Sequence, residues 1–147
     1  MDTMIESLPQ FAAYQPSLGA LTIFCFAVLI QSFLAAPLAF AKGEQTPGMP
    51  LQGDHSLLSF RVLRTYQNSV ESLPAFGFAL LLAILVGVNA SLVNWLAGIH
   101  VVFRLAYWAA YYSGIGKVTG GPRTLCYVVC LITNMVLVGA CLFAIFA

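Results

Sequence analysis

Charged side chains are scarce in this sequence: six lysines and arginines and five aspartates and glutamates make up 7% of its 147 residues. A soluble domain usually carries about 25% charged residues, so water is not the main solvent of this chain. The formal net charge of +1 argues against a nucleic-acid partner, because no basic stripe is present to neutralise phosphates. Hydrophobic residues make up 61% of the chain and the mean hydropathy is +0.91, which is typical of a helical membrane protein.

Two further patterns are missing. Strict alternation of polar and apolar residues does not occur, which argues against a membrane β-barrel. The four cysteines lack the close paired spacing and the histidine companions of a zinc site. They all lie inside apolar stretches, where we expect them to be small packing residues: Cys25, Cys126, Cys130 and Cys141. No metal is expected.

Three apolar segments, and a fourth once it is extended toward the N-terminus, are long enough to cross about 30 Å of hydrocarbon as helices. The run from Leu73 to Val88 would be only about 24 Å long by itself, so its helix must begin near residue 57. The sequence thus predicts an all-α integral membrane protein with a four-transmembrane-helix bundle. We expect one membrane domain comprising residues 1–147, with spans at about 18–41, 57–88, 91–113 and 122–147.

The basic residues indicate the topology. Lys42, Arg61 and Arg64 flank the first long loop (residues 42–56), and Lys117 and Arg123 flank the second (residues 114–122). Neither the N-terminal segment nor the turn between the second and third spans contains a basic residue. The positive-inside rule therefore predicts that both long loops are cytoplasmic and both termini are not. Such a multi-pass protein would lie in a bacterial inner membrane or in the endoplasmic reticulum.

Polar side chains form one stripe on the second helix and another on the third. At about 100° per residue, four residues of the second helix lie within about 80° of one another: Arg61, Arg64, Asn68 and Glu71. Four residues of the third helix lie within about 60°: His100, Arg104, Tyr107 and Tyr111. A guanidinium near the middle of a span, as at Arg104, needs a partner or a watery cavity.

Structural explanations remain open for some of these residues. Glu71 and Arg104 could pair to fix the helix register, and His100 could be a hydrogen-bonded packing residue. Aromatic residues near span ends are typical of interfacial belts, and we place four there: Trp95, Trp108, Tyr112 and Tyr127.

One register-fixing ion pair does not require as many polar groups as the two stripes contain. Arginine recognises carboxylates bidentately, a glutamate accepts an ammonium group, and an asparagine bridges both kinds of atom. This set predicts a small zwitterionic peptide ligand with several carboxylates. The apolar helix faces beside it would admit a lipid-like second substrate from the bilayer.

Three stretches resemble the family of membrane-associated proteins in eicosanoid and glutathione metabolism (MAPEG). "RVLRTYQNSVESLPAF" is similar to the family's second helix, with two arginines three apart, then Asn, Glu, Pro and Phe. "FRLAYWAAY" resembles its third helix, and "GPRT" resembles the loop before its fourth helix. The family includes microsomal glutathione transferases, so the resemblance implies a microsomal glutathione transferase-like fold and activity over roughly residues 18–147.

The resemblance also implies roles for individual residues. Five match positions that bind or line the glutathione site: Arg64, Asn68, Glu71, Tyr107 and Tyr111. Arg123 matches the catalytic arginine that stabilises the glutathione thiolate, while Arg61 and Arg104 would support the polar core. Family members are homotrimers that bind the peptide between neighbouring subunits. The first helix of this chain lacks the arginine that some relatives place against a glutathione carboxylate.

The function expected from this resemblance is a glutathione transferase, with glutathione peroxidase activity as a second expectation. Glutathione would be the cosubstrate, and a lipophilic electrophile from the bilayer would be conjugated, as in detoxification. One alternative is a non-catalytic scaffold of the same fold that binds lipid or glutathione. Another is an ion or proton carrier that uses Glu71 and Arg104.

Overall fold

Four long helices make up most of the described part of the chain. The structure, a computed structural model, describes residues 9–116 and 120–147; Lys117 lies outside the described residues. The helices are α1 (Gln15–Ala35), α2 (Leu58–Leu85), α3 (Ala90–Ser113) and α4 (Pro122–Phe146). Each is long and apolar enough to cross a membrane, and no strand occurs among the described residues. The predicted all-helical fold with four potential spans is thereby confirmed.

The boundaries of the first helix differ from those predicted from the apolar run, about 18–41. A short helix, Pro9–Ala12, precedes α1, which begins at Gln15 rather than near residue 18. Pro16 lies in its first turn, where the missing N–H leaves no helical hydrogen bond unmade. At the other end α1 continues into a π-helical turn, Ala36–Phe40, which contains Pro37. Proline removes the backbone donor that a regular α-helix requires there.

A tight turn joins α2 to α3. Gly87 has a φ of 74°, a left-handed conformation that glycine adopts without a steric penalty. The Val88 amide donates to the Ala83 carbonyl at 2.9 Å, closing the end of α2 as helix C-terminal motifs do. The Asn89 side chain then accepts from the Leu92 amide at 3.1 Å, which caps α3. The turn ends α2 at Leu85, three residues before the expected boundary.

The core of the bundle is aromatic at its centre. His100 of α3 is stacked on Phe76 of α2, with ring centroids 4.0 Å apart, and Phe24 of α1 lies 6.0 Å from Phe76. At the end opposite the first long loop, Tyr14 donates a hydrogen bond to the Val88 carbonyl. These contacts join α1, α2 and α3, and Asn68 of the α2 stripe meets Arg104 of the α3 stripe within the bundle.

The outer surface of the bundle is apolar. Large side chains of α1 and α4 point outward, for example Phe33 (79% exposed) and Phe143 (75% exposed). An exposed apolar surface of this extent is expected where lipid replaces water as the solvent.

Candidate functional site

The α2 stripe places an ion pair at the surface of the bundle. Arg64 Nη1 lies 3.7 Å from Glu71 Oε1, and the two side chains are 43% and 61% exposed. Their spacing of seven residues is two helical turns, which puts both groups on one face of α2. An ion pair this long and this exposed is weak. Both charges thus remain available to a ligand.

Arg104 of α3 is held by the α2 backbone and by neutral side chains. Its Nη1 donates to Asn68 Oδ1 at 2.8 Å, and its Nη2 donates to the Asn68 carbonyl at 2.6 Å and to Ser72 Oγ. The guanidinium also lies 5.4 Å from the centre of the Tyr107 ring. Arg104 is only 4% exposed, so these contacts compensate for much of the cost of burying a cation in the bundle.

The hydrogen bonds of Arg104 fix the orientation of Asn68. Arginine can only donate, so the Asn68 side-chain atom that faces it must be the oxygen. The amide nitrogen of Asn68 is consequently turned away from Arg104. Glu71 has its 3.7 Å contact with Arg64 of its own helix. In place of the alternative register-fixing pair of Glu71 and Arg104, the structure has contacts from Arg104 to Asn68 and Ser72.

A cavity of about 360 Å³ lies between α2, α3, α4 and the first long loop. We call it the loop-side cavity. Six residues that the sequence predicted for the site line it: Arg64, Asn68, Glu71, Tyr107, Tyr111 and Arg123. Three further residues line it: His55, Thr124 and Tyr127. The structure therefore brings together all the predicted substrate-binding residues and the predicted catalytic arginine in one space.

Arg123 lies in the first turn of α4, and its guanidinium carbon is 4.6 Å from the centre of the Tyr111 ring. Its Nη1 lies 3.2 Å from Nδ1 of His55. Backbone N–H groups at a helix N-terminus give that end a partial positive charge. The cation and the helix end together make this part of the loop-side cavity suited to an anion.

His55, in the first long loop, connects Arg123 to Tyr111. Its Nδ1 accepts from Arg123 and is 3.0 Å from the Tyr111 hydroxyl. Since an arginine can only donate, Nδ1 carries no proton and the ring is neutral. Burial and then the positive charge of Arg123 lower the pKa of His55, with further lowering by Arg61 and Arg64 and an opposing effect from Asp54.

Arg61 lies outside the loop-side cavity and holds the loop that carries His55. Its Nη1 donates to the carbonyls of His55 and Ser56, each at 2.8 Å. A Cβ added at Gly114, where α3 ends with a φ of 69°, would lie 3.2 Å from the Arg61 guanidinium carbon. Arg61 therefore joins the loop, α2 and the end of α3. Arg104, also outside this cavity, lies deeper in the bundle.

The reasoning from sequence missed three residues of the cavity. His55 lies in a polar loop, where no helical period indicates which way a side chain points. Thr124 directly follows Arg123, and this position next to a predicted site residue could have indicated that Thr124 lies at the cavity. Tyr127 was predicted only as a residue of an interfacial belt; it also lines the cavity, because it lies one helical turn after Arg123 on α4.

A pH dependence of stability follows from the environment of His55. When folding lowers the pKa of a histidine, the neutral ring makes its full contribution to stability at a pH above the unfolded pKa, near 6.5. This contribution is lost as the pH falls below that value. We expect the unfolding midpoint in detergent to fall more between pH 7.5 and pH 5.5 in the wild type than in His55→Gln. His100 is present in both proteins, so their difference isolates His55. Equal falls in both would contradict the proposed contacts of His55.

The comparisons with known proteins agree with the geometry. A model of the MAPEG family matches residues 17–143, which include all four long helices except the first two residues of α1 and the last three of α4. The chain is a polytopic, helical membrane protein by its four potential spans. It belongs to the MAPEG family. Comparisons with curated proteins and with solved structures give no match.

Proposed function

We propose that this protein is a membrane-embedded glutathione transferase that conjugates glutathione to a lipophilic electrophile from the bilayer. The observation that carries the proposal is the convergence of Arg64, Asn68, Glu71 and Arg123 on one cavity. Two arginines and one glutamate give this set a net positive charge. Glutathione has two carboxylates and one ammonium group, so it is a net anion and gains further negative charge as the thiolate.

Each polar group of glutathione has a counterpart in the loop-side cavity. Arg64 suits a carboxylate, because its planar fork donates two parallel hydrogen bonds. Glu71 suits the ammonium group. Asn68, whose oxygen faces Arg104, has its amide nitrogen left to donate to a peptide carbonyl or carboxylate. Tyr107 and Tyr111 add phenol groups that position the bound peptide.

Arg123 would supply the catalytic step. A free thiol has a pKa of about 8.5 and is a weak nucleophile while protonated. A fixed cation beside the sulfur favours the thiolate, and His55 and Tyr111 hold the guanidinium in place before substrate arrives. The sulfur then attacks the electrophile: with an aryl halide, a C–S bond forms and the halide leaves with the electron pair of its bond to carbon.

We further propose that the protein functions as a homotrimer. Glu71 lies 13 residues after the start of α2, which is about 20 Å along the helix, and its side chain is 61% exposed. A carboxylate this far along a spanning helix is costly against lipid. A neighbouring subunit would cover it and complete the peptide site, as the resemblance to homotrimeric relatives implies.

The proposal is tested with the purified protein in detergent, using calorimetry for glutathione binding and chlorodinitrobenzene for conjugation. We expect binding, conjugation above the uncatalysed rate and a native mass of three chains. Glu71→Gln is expected to weaken glutathione binding about tenfold, a loss of about 1.4 kcal/mol, because it removes the partner of the ammonium group. Lys42→Gln, an exposed change beside the first long loop, is the control, because Lys42 does not line the loop-side cavity.

Two results would favour the alternatives. Binding of glutathione without any conjugation would indicate a non-catalytic scaffold. No binding, together with proton passage through reconstituted vesicles, would indicate a carrier. Either result would overturn the transferase proposal.

A further inference from the structure

A second cavity, of about 210 Å³, lies deeper between α2, α3 and α4. We call it the inner cavity. Asn68, Glu71 and Tyr127 line both this cavity and the loop-side cavity, so the two spaces are adjacent. The inner cavity is also lined by Ala75 of α2 and by Leu131 of α4, which is 46% exposed. Through these residues it borders the apolar outer surface of the bundle.

His100 lines the inner cavity and has an unprotonated ring nitrogen. The side chain is 2% exposed, and its Nδ1 lies 3.2 Å from the Cys130 carbonyl. A carbonyl only accepts, so Nδ1 carries the hydrogen and, in a neutral ring, Nε2 has a lone pair. A second positive charge one helical turn from the buried Arg104 would be costly, which favours the neutral ring. Nε2 has no hydrogen-bond partner among the described residues.

Two other buried polar atoms around this cavity also lack a hydrogen-bond partner among the described residues. They are Asn134 Oδ1 and Arg104 Nε, and both residues line the inner cavity. Leaving such atoms unpaired in a buried site is unfavourable. A hydroxyl group has one proton and two lone pairs, so it can donate to one of these two acceptors and accept from the donor. A carboxylate could accept from Arg104 but has no proton for the two acceptors, and an alkyl chain would satisfy none of the three.

The position of His100 sets the length of a suitable ligand. Cys130, the residue that holds His100, lies seven residues after Arg123 on α4, which is about 10 Å along the helix. An electrophile that meets the thiolate beside Arg123 and extends into the inner cavity would therefore bring a group at this distance close to His100.

We propose that the inner cavity binds the electrophile and selects one that has an apolar chain and a hydroxyl about 10 Å from its reacting carbon. The hydroxyl donates to His100 Nε2, with Asn134 beside it. This inference rests on the proposed transferase function and specifies its substrate class. For an enal, the thiolate sulfur bonds to the β-carbon, the electron pair of the C=C bond moves to the α-carbon, and that carbon takes a proton from water.

The test compares kcat/KM for two enals, each with saturating glutathione. One is 2-decenal, whose C=C bond adjoins the aldehyde, and the other is the same compound with a hydroxyl on its terminal carbon. We expect the wild type to prefer the hydroxylated enal about tenfold, because a site with buried polar groups discriminates against a ligand that leaves them unpaired. His100→Phe keeps a ring to stack on Phe76 and loses Nε2, and Asn134→Leu removes the amide. His100→Phe is expected to bring the ratio close to one, and Asn134→Leu is expected to lower it less, because the hydroxyl proton is donated to His100. Met135→Leu, an outward change at a residue that is 65% exposed, should keep the wild-type ratio.

The outcomes separate this inference from the function on which it rests. A ratio near one in the wild type, with chlorodinitrobenzene conjugated, overturns the hydroxyl preference alone. A tenfold ratio that survives both His100→Phe and Asn134→Leu overturns the assignment of the inner cavity. If neither enal nor chlorodinitrobenzene is conjugated, the transferase proposal is overturned and this inference with it.

Discussion

Arg123→Ala is expected to lower kcat/KM for chlorodinitrobenzene by about 100- to 1,000-fold, the usual cost of removing a preorganised group that stabilises developing negative charge. The physical reason is that the loop-side cavity would lose the cation that His55 and Tyr111 hold in place. We expect glutathione binding to weaken much less, because Arg64, Asn68 and Glu71 remain. Steady-state kinetics and calorimetry on the same preparation separate the two effects.

The control for this prediction is Lys42→Ala. It also removes one positive charge near the loop end of the bundle, but Lys42 is exposed and does not line the loop-side cavity. Its activity should equal that of the wild type. If Arg123→Ala and Lys42→Ala behave alike, Arg123 does not stabilise the thiolate and its catalytic role is wrong. The pH profile gives a second readout: without Arg123, the alkaline pH needed for half-maximal activity should rise toward the pKa of a free thiol, about 8.5.

Arg104→Ala is expected to lower the unfolding free energy by about 3 kcal/mol, since it leaves a void and removes the donor to Asn68 and Ser72. In a domain of this size, that loss corresponds to a fall of about 6–12 °C in the unfolding midpoint. The measurement is thermal unfolding in detergent without glutathione, so that a change in ligand binding does not contribute.

Arg64→Ala provides the matched comparison on the facing helix. Arg64 is 43% exposed and its ion pair with Glu71 is 3.7 Å long, so its removal should change the unfolding free energy by less than about 1 kcal/mol. Equal effects of the two substitutions would contradict the view that Arg104 joins α2 to α3 whereas Arg64 is reserved for a ligand.

The fold was predictable from the sequence for a simple physical reason. In hydrocarbon a backbone must satisfy its own polar groups, so an apolar segment about 20 residues long is a helix almost regardless of its neighbours. The boundaries were less predictable. Gly87 ends α2 before Val88, and Pro16 allows α1 to begin at Gln15, because single residues with special backbone preferences act at helix ends.

The candidate site was predictable where it follows a helical period. Arg64, Asn68 and Glu71 share one face of α2 at any rotation of that helix, and Tyr107 and Tyr111 share one face of α3. The residue that binds Arg104 could not be predicted in this way. Whether Arg104 meets Glu71 or Asn68 depends on how far α2 is rotated toward α3, which the sequence of either helix does not specify. The same applies to Tyr127, whose cavity position depends on the packing of α4 against α2.

By itself the sequence determined the solvent of this protein, its four helices and the polar faces of α2 and α3, because each of these follows from the composition or the period of a single segment. Only the tertiary structure decided that Arg104 is held by Asn68 and Ser72, that His55 joins Arg123 to Tyr111, and that two adjacent cavities lie between the helices. These features depend on distances between atoms far apart in the chain, and the packing of whole helices sets those distances.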